Sequence, residues 1–139
     1  MLRYRAMSAA VLNLTVEQNA SFEGVLTLSD GSTALPSNVS GVVAKMAIVA
    51  LYGRPPLISL SSPSNGLIVH DSTDHISDPS SVTINLTAAQ TTGLAVLPSV
   101  TVNPPKATYY YDLILEYPSG WVTRLVQGTI IVIGGATSD

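Results

Sequence analysis

The stretch Tyr109-Tyr110-Tyr111-Asp112-Leu113-Ile114-Leu115-Glu116-Tyr117, followed by Pro118-Ser119-Gly120 and the run from Trp121 to Ile133, decides the fold. Tyr109, Tyr111, Leu113, Leu115 and Tyr117 fall at every second position, with Tyr110, Asp112, Ile114 and Glu116 between them. That is the period of a half-buried strand. The Pro-Ser-Gly segment turns the chain, and the return run is rich in aromatic and β-branched residues, so the two runs predict a long antiparallel hairpin. The odd-numbered aromatics are expected in the core, with Tyr111 and Trp121 as its anchors. Tyr110 faces out.

Working backwards, Val82 to Leu86 alternates in the same way. Thr87-Ala88-Ala89-Gln90 has the form of a capping box and starts one short helix ending near Gly93. A helix this short must dock on the sheet, and Leu94 is the residue expected to anchor it. Val96 to Lys106 holds Pro98, Pro104 and Pro105, which suits a loop or an edge strand. Upstream, Val42 to Leu51 is an apolar run with Lys45 as its only charge, and its β-branched residues favour a strand over a helix. Leu57 to Leu60 is a short strand, and Leu67-Ile68-Val69 answers it across the turn Ser61 to Gly66. Phe22 to Ser29 reads as a strand ending at the turn Asp30-Gly31, Leu35 to Asn38 reads as a loop, and Val11 to Glu17 alternates.

Seven or eight short strands with one weak helix near 87–93 predict an all-β fold: a single antiparallel β-sandwich of immunoglobulin-like type. The expected organisation is an N-terminal arm over 1–10, the sandwich over 11–133 and a tail over 134–139. Arg3 and Arg5 ahead of the short apolar run Ala6 to Leu12 look superficially like a signal peptide. The run is brief and passes straight into a strand pattern, which favours the arm.

Composition narrows the function. Charged residues are 11% of the 139, against about 25% in an ordinary domain. The polar surface therefore falls to neutral side chains, chiefly the 30 Ser and Thr. So sparsely charged a surface is poorly protected against association. Either neutral turns account for it or partner subunits cover much of it. The six basic residues are scattered, so no basic face for nucleic acid is expected. No run approaches the about 18 apolar residues of a membrane span. With no cysteine, disulfides and thiolate chemistry are excluded.

Sites of chemistry are few. His70, Asp71, Asp74, His75 and Asp78 are the only group resembling metal ligands. Their spacing matches no motif with a mechanism, so solvated loop side chains explain them better, and no metal or cofactor is expected. Asp112 and Glu116 share one strand face, but four residues of strand hold them about 13 Å apart, beyond the reach of paired glycosidase carboxylates. No nucleophile elbow occurs. Asn-x-Ser/Thr matches at Asn13, Asn19, Asn38 and Asn85 arise easily in so Ser- and Thr-rich a chain. Catalytic residues are expected to be absent. The candidate interface residues are Tyr110, with Tyr52 near it, and Arg3, Tyr4 and Arg5 on an arm that could lie on a neighbouring subunit.

Several stretches in order resemble small bacteriophage virion proteins, among them the N-terminal β-sandwich domain of upper baseplate and tail-fibre-anchoring proteins. They are Leu14 to Phe22, Leu26-Thr27-Leu28 before Asp30-Gly31, Val43 to Ile48, Val82 to Thr91, and Tyr111 to Leu115 with Pro118-Ser119-Gly120, Val122 to Leu125 and Gly128 to Ile130. The likeness spans roughly residues 12 to 133. The segments 71–81 and 96–106 are longer than that pattern. The resemblance implies a non-enzymatic structural subunit located in the virion, contacting other virion proteins as a symmetric homo-oligomer in a tail, baseplate or fibre. The same physics serves a head decoration (cement) protein. A carbohydrate-binding module with exposed Tyr and Trp is the alternative from another class, and a small metal-dependent enzyme around His70 and His75 ranks last.

Overall fold

The computed structural model describes residues 10–27, 39–70 and 80–135. The hairpin is its spine: β8 (Lys106–Glu116) pairs antiparallel with β9 (Val122–Ile133) along its whole length. The turn between them is closed by Tyr117 N–H donating to the Trp121 carbonyl at 2.8 Å, with Gly120 at φ 90°. Only glycine takes that backbone without strain.

Two sheets enclose the core. The larger runs β1 (Ala10–Val11), β9, β8, β4 (Val43–Val49), β5 (Ile58–Ser61), and β2 (Leu14–Glu17) also lies on β9. The smaller runs β3 (Phe22–Thr27), β7 (Ser81–Leu86), β6 (Leu67–His70). All pairings are antiparallel except β1 and β2, which run parallel to β9. In immunoglobulin lettering the sheets are G-F-C-C′ facing B-E-D, with C′ one of the strands that variable-type domains add to the G-F-C sheet. The chain is thus an immunoglobulin-like β-sandwich with one five-residue helix, α1 (Ala88–Thr92).

Alternation fills the space between the sheets. Ala44, Met46 and Ile48 of β4, Tyr109, Tyr111, Leu113 and Leu115 of β8, and Ile130 and Val132 of β9 meet Leu67, Val82, Ile84 and Leu86 of the smaller sheet. Each buried Leu, Ile or Val contributes about 1.5–3 kcal/mol relative to exposure. The Tyr109 hydroxyl donates to the Ala95 carbonyl at 2.6 Å, upstream at the E–F corner. This is the contact of a tyrosine corner. Tyr111 then stands two residues on, where antibody domains place the second cysteine of the inter-sheet disulfide. It is 0% exposed and its hydroxyl donates to the Leu12 carbonyl at 2.7 Å. A packed phenol occupies the place of the cross-link.

The helix is capped as expected. Gln90 N–H donates to Thr87 Oγ1 at 3.1 Å, and Thr87 N–H to Gln90 Oε1 at 2.9 Å. Leu94 is fully buried and the Thr91 hydroxyl donates to the Ala20 carbonyl at 2.8 Å, which docks the helix.

Four expectations need correction. Leu67 to Val69 does not pair with the strand before it, because the turn at 62–66 carries the chain from one sheet to the other and β6 pairs with β7. The first strand, expected to be continuous from Val11 to Glu17, is broken at Leu12-Asn13, and its halves run parallel to β9 within a sandwich whose other pairings are antiparallel. Its opening residue, Ala10, belonged to the expected arm. Trp121 is not a core residue. It sits at the hairpin tip, past Leu115, the last fully buried residue of β8, and is 68% exposed. The turns at Asp30-Gly31 and Leu35 to Asn38 lie outside the described residues.

Candidate functional site

The outer face of the larger sheet carries the polar chemistry of the described chain. Alternation sends Tyr110, Asp112, Ile114 and Glu116 of β8 outward, and Val43, Lys45 and Ala47 of β4 lie beside them. On β9 strict alternation would turn Arg124 inward with Val126. A bulge at Leu125, opposite Leu113/Ile114, adds one residue and reverses the phase. Leu125 and Val126 are both buried, and Arg124 reaches the outer face. Bulges re-aim side chains in this way.

There Arg124 Nε lies 3.3 Å from Asp112 Oδ2, and Lys45 Nζ lies 3.0 Å from Glu116 Oε1. Four of the eight charged side chains among the described residues thus meet on one face, as two diagonal ion pairs. Exposed pairs of this kind stabilise the fold by about 0–1 kcal/mol each. Each carboxylate is held by its own cation, which suits neither for shared acid–base work.

Tyr52, in the loop between β4 and β5, closes one side of the face. Its hydroxyl donates to the Tyr111 carbonyl at 3.1 Å, and its ring centroid lies 5.4 Å from that of Tyr110 at 45°. The proximity expected from the sequence is real, and Tyr52 remains 58% exposed. Partial burial, then the Asp112 charge, raise its phenol pKa. Beside the ion pairs runs an open groove of about 280 Å³, lined by Lys45, Ala47, Ser59, Asn65, Asp112 and Ile114.

A second exposed apolar surface was not foreseen. The loop from 95 to 105 displays Leu97, Val100 and Val102 to solvent. It is locally ordered by Ser99, whose hydroxyl oxygen accepts from Val102 N–H at 3.0 Å and from Thr101 N–H at 3.2 Å. Three apolar residues among prolines, without a charge, are the trace it leaves in the sequence.

Other expected sites fall elsewhere. Arg3, Tyr4 and Arg5, and Asp71, Asp74, His75 and Asp78, lie outside the described residues. His70 ends β6. Among the described residues no group of three or more His, Asp or Glu could hold a metal, and no helix is long and apolar enough to cross a membrane. Asn13 Oδ1 accepts from both the backbone N–H and the hydroxyl of Thr129, and Asn19 Oδ1 accepts from Thr92, so both amides serve internal contacts.

No family model matches the sequence, and no curated protein matches it. Among solved structures, the chain is similar to one from a structure described as "Structure-based site-directed photo-crosslinking analyses of multimeric cell-adhesive interactions of VGSC beta subunits". The identity is 11% and the TM-score 0.42, over 97% of this chain and 100% of that one. At that distance the fold assignment rests on the strand order and register of this chain itself.

Proposed function

We propose that the chain is a non-enzymatic structural subunit of a bacteriophage particle, working on the tail side in a tail, baseplate or fibre. The observation that carries an assembly role is the outer face of the larger sheet. It joins an aromatic pair, Tyr52 and Tyr110, to charges that balance among themselves, on a chain only 11% charged. Interfaces favour this composition: aromatic anchors ringed by polar groups. The exposed Leu97, Val100 and Val102 add a second apolar contact. The virion assignment draws on the ordered resemblance of the strands to phage β-sandwich domains, and a head decoration protein would use the same surfaces.

Tyr110→Ala tests the reading. It should leave the melting temperature close to that of the parent while weakening incorporation into particles by about 30-fold, the effect of losing a ~2 kcal/mol anchor. Tyr111→Ala, which empties the core, should cost about 3–5 kcal/mol of fold stability instead. Purified particles lacking the chain would end the virion assignment, and normal incorporation of Tyr110→Ala would end the role given to this face.

Carbohydrate binding is the second reading, favoured by the pairing of exposed Tyr52 with half-buried Tyr110 beside Asp112 and Arg124. The rings are tilted by 45° and do not form a flat platform. Calorimetric titration with oligosaccharides distinguishes the two.

A further inference from the structure

Ile114 stands at the centre of a cross of charges. Register places Lys45 beside it on β4 and Arg124 beside it on β9. Asp112 and Glu116 lie two residues before and after it on β8. Strand spacing sets the two cations about 4.8 Å to either side, and the strand rise sets the two anions about 6.8 Å along the strand. By backbone position the cations form one arm and the anions a perpendicular, longer arm, about 9.6 against 13.6 Å from end to end, and the intrachain ion pairs draw the charged ends together across the angle between the arms.

We infer that this face binds a second copy of the same chain, face to face, with strands crossing near a right angle and the two Ile114 side chains meeting on a two-fold axis. The charge pattern selects that geometry. With strands of the two copies parallel, Lys45 opposes Arg124 of the other copy, and each carboxylate opposes its own counterpart. With strands antiparallel, Lys45 opposes Lys45 and Asp112 opposes Glu116. A quarter turn sets each cation over a carboxylate of the other copy, at all four positions together. The intrachain pairs persist, so eight charges form one network around an apolar centre. Such an interface is isologous, as a closed dimer requires, and orthogonal packing is one of the two ways sheets stack. Tyr52 and Tyr110 then lie beyond the Asp112 arm, where the paired rings extend the contact as its aromatic anchors. The inference rests on reading this face as an assembly surface.

The chain has no cysteine, so Ile114→Cys creates a single thiol on the proposed axis. Oxidised glutathione should convert this variant to a disulfide-linked dimer, joining two thiols with loss of two electrons to the oxidant. Val25→Cys, exposed on the outer face of the smaller sheet, is the control and should stay monomeric. Adding Lys45→Glu to Ile114→Cys should lower the dimer yield by about tenfold, because like charges then oppose across the axis. Circular dichroism checks that the double variant is folded. If it is not, raising salt on Ile114→Cys alone should lower the yield by screening the same contacts. Cross-linking of Ile114→Cys no better than that of Val25→Cys overturns the inference. In that event, loss of incorporation by Tyr110→Ala would show that the face still serves assembly with a different partner. Normal incorporation would remove both readings.

Discussion

Tyr111 joins stability to pH. Desolvation, with a smaller contribution from Tyr52, pushes its phenol up to about 12. Tyr109 and Tyr117 are raised by burial as well. An unfolded tyrosine titrates near 10. The folded chain therefore holds these protons longer than the unfolded chain. The stabilisation is fully present below pH about 10 and is lost as pH rises toward 12. Thermal melts across that window should show a falling midpoint, accompanied by the ultraviolet absorbance of tyrosinate. Tyr111→Phe should flatten the fall while costing about 1–3 kcal/mol at neutral pH, since the Leu12 carbonyl loses its donor. An equally steep alkaline fall in that variant would count against Tyr111 as the main source. Alternation alone separated buried Tyr111 from outward Tyr110. It misplaced Trp121 because periodicity assigns a face of a strand and is blind to where the core ends along it.

Local chemistry was readable wherever its partners are close in sequence. Thr87 and Gln90 form a reciprocal cap from three residues apart, and Thr87→Ala should cost about 1 kcal/mol. Amide exchange should then quicken over Ala88–Thr92 ahead of β7, whereas uniform quickening would show that the cap supports the sheet as well. The bulge was harder to see. Its trace is the neighbouring apolar pair Leu125-Val126, which breaks the alternation of β9. Gly128 left no trace, since its need for glycine comes from a remote segment. A Cβ there would collide with the Leu12 carbonyl, at the break between β1 and β2 where the N-terminal strand runs beside β9. Gly128→Ala should cost about 1–3 kcal/mol, as forced overpacking does. Exchange should quicken at β1 and β2 while β8 stays protected; unchanged exchange there would mean the strand is not held by this approach.

The sandwich as a whole depends on how its strands are shared between sheets, and that is where sequence reading stopped. Periodicity told that β5 and β6 are strands, but not that they enter different sheets. It showed Tyr110, Asp112 and Glu116 on one face, but Arg124 joined them only through the bulge, so the charge cross was invisible. The N-terminal strand shows the same limit, since its parallel pairing to β9 joins residues more than a hundred positions apart. It covers one edge of the larger sheet, places Val16 in the core, supplies the Leu12 carbonyl to Tyr111, and fixes Asn13 to Thr129. Removing residues 1–9 touches none of these contacts and should leave the melting temperature unchanged. Removing residues 1–17 strips both β1 and β2. It forfeits about 1.5–3 kcal/mol for Val16 alone and leaves the β9 edge from Val126 to Ile133 unpaired. An open strand edge templates pairing with other chains. The longer truncation should therefore melt lower and scatter light as it associates, and the shorter one should do neither. A chain lacking residues 1–17 that stayed monomeric and melted with the parent would show that the edge of β9 needs no cover and that the first strand is dispensable to the sandwich.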